Sequence, residues 1–162
     1  MAAATSNSLT PLNSTSDNDH FEIVNLLLMS GSDVNCLDIN GTFLHLLAFN
    51  GYTDLLRLVY EQYHATLHLV EPHGRTLLSL AGRSVHIDTF LYLIILGFNS
   101  RTNDAKGDGL LYYASSGGSL QILTAVLDEG AVFSSLSGHL STIHWACGAG
   151  NPNIVERLIK KD

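Results

Sequence analysis

Gly138-His139-Leu140-Ser141-Thr142-Ile143-His144-Trp145-Ala146-Cys147-Gly148-Ala149-Gly150-Asn151-Pro152-Asn153-Ile154-Val155-Glu156-Arg157-Leu158-Ile159 sets a glycine turn, a Ser-Thr-Ile-His helix start and a short small-residue helix in one run. A second glycine and a second, more apolar helix follow. The same order recurs upstream at Gly41-Thr42-Phe43-Leu44-His45-Leu46-Leu47-Ala48-Phe49-Asn50-Gly51. The apolar residue just before the histidine slot is Leu12, Leu44, Leu78, Leu111 or Ile143, at separations of 32, 34, 33 and 32 residues. A period near 33 marks a solenoid of helix pairs, in which each unit buries its apolar face only against its neighbours.

The motif resembles the ankyrin repeat, whose signature is Gly-x-Thr-Pro-Leu-His-x-Ala-Ala-x-x-Gly-His followed by a Val/Leu-rich helix. The resemblance implies an all-α ankyrin-repeat solenoid of stacked antiparallel helix pairs with short β-turn or hairpin loops. One domain over residues 1–162 is expected, with repeats at about 1–34, 35–67, 68–100, 101–133 and 134–162. Thr10-Pro11-Leu12 starts the first repeat with an N-cap and a proline at the first helical position. The polar run after it, Asn13 to Asp19, is a poor helix former. The second repeat has a turn one residue short before Thr42. Its junction through Tyr63-His64-Ala65 to Val70 is one residue longer than the family's, which makes it the weakest join. In the third repeat the second helix, Ile87 to Leu96, is apolar almost all round and is expected to be covered on both sides. Gly109 and Tyr112 replace the capping Thr and the His in the fourth repeat. Glu156, Arg157, Lys160 and Lys161 give the last repeat the polar face of a cap.

Composition agrees with tight packing of small residues. The 162 residues are 46% hydrophobic and only 14% charged, against about 25% for typical domains. The formal net charge is −7, and six acidic residues precede the first lysine or arginine, Arg57. Such a balance disfavours nucleic-acid backbones and suits a basic partner. Cys36 and Cys147 are far apart and lack metal-ligand spacing, which points to free thiols in a reducing compartment. The N-terminus has neither a basic region nor a long apolar run. The longest apolar run, Phe90 to Phe98, falls far short of the ~20 residues of a bilayer span. A soluble, cytoplasmic or nuclear monomer is expected.

Eight histidines invite a metal or catalytic reading. His64, His68 and His73 crowd one junction, but zinc takes three or four protein ligands and no cysteine or acidic cluster completes the set. The His144–Cys147 pair reads as packing, with Cys147 a small buried thiol in an alanine slot. Ser116-Gly117-Gly118-Ser119 lies between helices with no preceding strand and no following lysine, so it is no phosphate loop. No catalytic residue, cofactor or metal is expected. The resemblance implies that the imidazoles of His45 and His144 bond to backbone and to a hydroxyl, Thr42 or Ser141, with Thr10 and Thr76 in the same capping role.

In ankyrin proteins the turn tips and exposed inner-helix positions form a concave surface for partner proteins. Carried over by position, that surface comprises Ile39, Asn40, Phe49 and Asn50, then Pro72, His73, Arg75, Arg83 and Ser84. Ala105, Lys106, Asp108 and Ser116 follow, and finally Leu136, Ser137, His139 and Gly148. The resemblance therefore implies a non-catalytic protein–protein interaction module. The alternative is a targeting or regulatory ankyrin segment of a larger multidomain signalling protein.

Overall fold

A computed structural model describes residues 10–15, 21–98, 103–129 and 142–160. Among these residues there are nine α-helices and no strand. A 3₁₀ turn over Asn13–Thr15 leads to α1 (Phe21–Met29). Then come α2 (Phe43–Asn50), α3 (Thr53–Tyr63), α4 (Leu77–Arg83), α5 (Ile87–Ile95), α6 (Leu110–Gly117) and α7 (Leu120–Asp128). The last pair is α8 (Thr142–Gly148) and α9 (Pro152–Ile159). The seven or eight residues of each short helix are too few to be stable alone. They persist because α2, α4, α6 and α8 stack side by side, each also packing on its own partner helix.

Close stacking needs small side chains where backbones approach. A Cβ on Gly117 would stand 2.7 Å from the Gly82 and Arg83 carbonyls, and each inner helix carries one fully buried alanine, Ala48, Ala81, Ala114 or Ala146. Leu44, Leu47, Leu77, Leu78, Leu110 and Leu111 fill the space beside them. The partner helices close the core from the other side with Leu56, Val59, Phe90, Leu93, Ile122, Leu123, Ile154 and Leu158. The extra residue in the junction after α3 is absorbed with packing retained. Ala65 and Leu67 are buried there, and the Thr66 amide donates to Asn35 Oδ1 at 2.7 Å.

Two expectations are corrected. The outer helix α5 is covered on one side only: Leu91 is 44% and Ile95 80% exposed. Its neighbours lie to either side in the outer layer, so a residue pointing straight outward meets no helix. Cys147 is exposed rather than buried, because α8 has no further inner helix beside it among the described residues.

Helix starts follow the capping chemistry. The Thr76 hydroxyl accepts from the Ser79 amide at 3.2 Å, and Ser79 Oγ accepts from the Thr76 amide at 3.0 Å, a reciprocal box. At the same place in the preceding repeat His45 takes the serine's role. Its Nδ1 accepts the Thr42 amide at 3.2 Å and lies 2.8 Å from Thr42 Oγ1. The Thr10 hydroxyl likewise accepts from the Asn13 amide. His144 is exposed, in contrast to His45, and Ser141 lies outside the described residues.

His45 is buried, and burial pushes its imidazole down from 6.5 to about 4. The charge of Glu71 and the nearby carbonyls of Leu69 and Arg75 oppose that shift without overcoming it. The folded state therefore holds a neutral ring where the unfolded chain would be protonated. This group's contribution is intact above pH 6.5 and is lost as pH falls towards 4.

Each inner-to-outer turn places one residue in the left-handed region: Gly51, Gly118 and Gly150 at φ of 78°, 81° and 69°. In the third repeat Val85 occupies this position at φ 64°. A β-branched residue there is strained, at a cost of about 1–2 kcal/mol. The turn is flanked on both sides, by Gly51 against the His86 ring and by Gly117 against the Gly82 and Arg83 carbonyls.

Two outcomes follow from these features. Val85→Gly is expected to stabilise the chain by about 1 kcal/mol, the relieved strain exceeding the added unfolded-state entropy. A lower urea midpoint for the variant would contradict the strain. Second, the wild-type chain should lose about 2–3 kcal/mol through His45 between pH 7 and pH 4.5. His45→Gln should be weaker at pH 7 yet show a flatter profile over this window, and an unchanged slope in urea titrations would refute the assignment.

Candidate partner-binding face

The turns that precede α2, α4 and α6 are built on carboxylates spaced 33 residues apart: Asp38, Glu71 and Asp104. Asp38 is buried; its Oδ1 accepts the Asn40 amide at 2.8 Å and its Oδ2 the Thr10 amide of the preceding repeat at 3.1 Å. Asp104 Oδ1 accepts the amides of Lys106 and Asp108, each at 2.8 Å, and its Oδ2 accepts the buried Tyr113 hydroxyl. A carboxylate that folds the chain back on itself in this way sets the turn tip rigidly.

Glu71 is the most constrained of the three. Its side chain is fully buried, and Oε1 accepts both the Arg75 amide at 3.1 Å and Arg75 Nε at 2.8 Å. Oε2 takes His73 Nδ1 at 2.7 Å. Burial alone would raise the carboxyl, but the hydrogen bonds from Arg75 and His73 hold it down at about 2. Glu71 is thus an anion throughout the physiological range, and His73 and Arg75 are drawn into one cluster around it.

Adjacent turns are also joined through backbone carbonyls. The Ala105 amide donates to the His73 carbonyl at 3.0 Å, and Asn13 Nδ2 donates to the Gly41 carbonyl at 3.1 Å. Gly74, at φ 81°, sits where a Cβ would lie 2.6 Å from the Ala105 amide nitrogen. Glycine is therefore required there by both backbone conformation and space.

These links bring the turn tips into one row beside the inner helices. Ile39, Asn40, Pro72, His73, Ala105 and Lys106 are exposed along the tips, and Phe49, Arg83 and Gly148 are exposed on the inner helices. Asn50, Arg75, Ser84, Asp108 and Ser116 are half-buried. Ser116 Oγ donates to the Tyr113 carbonyl at 3.0 Å. Leu136, Ser137 and His139 lie outside the described residues.

Three residues on or under this face carry more than their sequence suggested. Glu71 stands beside a proline in a turn and reads as solvent-exposed; its 33-residue register with Asp38 and Asp104 is the signal that marks it. Trp145, the single tryptophan, is 37% exposed on α8 and packs edge-on against Tyr112 at 5.2 Å. Leu37, 41% exposed, extends the apolar tip that holds Ile39.

The histidine-rich junction divides among structural tasks. His64 ends α3 at φ 52°, His68 stacks on Phe98 at 5.3 Å, and His73 pairs with Glu71. Among the described residues no group of three or more His, Cys, Asp and Glu side chains converges on a metal position. None of their helices is long and apolar enough to cross a membrane.

Comparison with known proteins gives the same architecture. The chain is 27% identical over 151 residues to the transient receptor potential cation channel subfamily A member 1 homolog of Caenorhabditis elegans. It is 26% identical over 150 residues to the palmitoyltransferase AKR1 of Lachancea kluyveri. Those matches cover 93% and 88% of this chain but only 12% and 20% of the relatives, so the chain spans a small part of either protein's length. Residues 12–104, more than half the chain, match the family described as ankyrin repeats in three copies. With that match and its stack of helix pairs, the chain belongs to the ankyrin-repeat family.

Proposed function

We propose that the chain is a non-catalytic protein-interaction module that holds its partner on the row of turn tips and the adjoining inner helices. The observation that carries this reading is the carboxylate-pinned turns. Asp38 and Asp104 each tie down amides two residues on, Glu71 gathers His73 and Arg75, and the backbone of turn three is bonded to that of turn four. A surface already ordered loses little entropy when a partner docks, so modest contacts suffice. Ile39, Phe49, Pro72, His73, Arg83 and Lys106 then supply apolar, aromatic and cationic contacts in the mixture common at interface centres.

A second reading concerns context and is favoured by the partial coverage of the two relatives. The array acts as a targeting or regulatory segment within a larger protein, positioning whatever is attached to it. Two free cysteines fit a reducing setting, cytoplasmic or nuclear, and the net charge of −7 favours protein over nucleic acid as partner. In both readings the array itself is a monomer that carries no cofactor.

Affinity capture from the native organism, read by mass spectrometry, tests the face directly. Phe49→Ser and Arg83→Ser alter exposed side chains and should leave the melting temperature within about 2 °C of wild type, as surface changes do. Together they are expected to reduce recovery of the bound partner about ten-fold or more. Unchanged recovery with both substitutions in place would overturn the assignment of this face.

A further inference from the structure

The outer layer holds a groove that the turn-tip face does not use. Inner helices pack broadly against one another, whereas α3 and α5 meet sparsely. They are tied near their N-termini by a Thr53–Thr89 hydroxyl contact at 2.6 Å and midway along by the Arg57 guanidinium over the Tyr92 ring at 4.9 Å. Between them lies a depression of about 900 Å³ that also reaches Phe21 of α1.

Its floor and walls are mostly apolar. Leu55 and Leu58 of α3 are half-buried, while Phe21, Leu91 and Ile95 are 47%, 44% and 80% exposed. Asp88, Leu91, Tyr92 and Ile95 follow the i, i+3, i+4, i+7 spacing of a single helical stripe about 10 Å long. Solitary exposed leucines are ordinary, but an outward-facing apolar stripe beside a concavity marks a binding surface.

The rim identifies the chemistry of the occupant. Asp54 and Asp88 line the groove at the N-terminal ends of α3 and α5, and exposed Glu61 follows Asp54 two turns along α3. One cation, Arg57, stands among these three carboxylates. Anionic lipid would be repelled by such a rim, and a second copy would set Asp54 and Asp88 against their own counterparts.

We propose that this outer-layer groove docks a partner helix carrying a stripe of large apolar residues flanked by lysine or arginine. Its apolar stripe seats between Leu58, Leu91 and Ile95, and its cations face Asp54 and Asp88, the helix-in-groove mode of recognition. The site is separate from the turn-tip face, so the array can hold two partners at once.

Fluorescence anisotropy with the full 162-residue chain and a labelled helical peptide tests the proposal. The peptide has about five turns, leucines at i, i+3, i+4 and i+7, and flanking lysines. A control peptide carries glutamate in place of every lysine. The lysine peptide should bind in the micromolar range and the glutamate peptide at least about ten-fold more weakly. Ile95→Ser, at a position too exposed to threaten folding, should weaken the lysine peptide about ten-fold, and Leu91→Ser provides an independent check. Asp54→Lys with Asp88→Lys should weaken the lysine peptide and strengthen the glutamate peptide, while Phe49→Ser on the turn-tip face should change neither. Equal binding of the two peptides, indifference to Ile95→Ser, or loss on Phe49→Ser would overturn the proposal. So would Ile95-dependent binding to phosphatidylserine vesicles, or Ile95-dependent self-association in sedimentation, in place of peptide binding.

Discussion

Everything in this structure depends on how closely successive inner helices can approach. Between α4 and α6 the limit is set at Gly117, where a Cβ would stand 2.7 Å from the Gly82 and Arg83 carbonyls, and the buried Ala81, Ala114 and Ala146 keep the inner helices slim. At this separation the leucines beside them are enclosed on both sides, and the dispersion and hydrophobic terms summed over many such contacts hold the array together. A single helix pair has no such enclosure. The fold is cooperative between neighbours and local in sequence, because each contact joins residues about one repeat apart.

The same spacing governs the polar chemistry. Turns about one repeat apart are near enough for Asp38 to reach the Thr10 amide and for the His73 carbonyl to meet Ala105. Desolvating Glu71 there would be costly if it stood alone, but the Arg75 guanidinium, two backbone amides and His73 satisfy it. His45 sits one layer below and stays neutral. A buried anion with fixed partners thus underlies the exposed tips, and rigidity at the tips is inherited from it.

The two faces of the array have opposite characters for a geometric reason. Turn tips and inner helices are drawn together by hydrogen bonds and small residues, giving a continuous surface. Outer helices meet sparsely, through Thr53–Thr89 and Arg57–Tyr92, so space opens between α3 and α5. Apolar residues that point into this space, Leu91 and Ile95, are left without cover by the chain itself.

Much of the architecture was legible in the linear sequence because its signals are local. The 33-residue recurrence, the Thr and Ser caps, and the glycines ending helices are set by backbone chemistry within a few residues, and α7 runs over Leu120–Asp128 as those signals indicate. Tertiary structure alone decided burial. A largely apolar α5 reads the same whether a neighbour covers it or not, and Cys147 occupies an alanine slot whose enclosure depends on a further repeat. Glu71 reads as a surface residue until its partners are placed around it. Val85 breaks the local rule outright, held in a left-handed turn by contacts made to the adjacent repeats. Periodicity and capping are properties of a chain segment, whereas exposure, charge state and strain belong to what surrounds it.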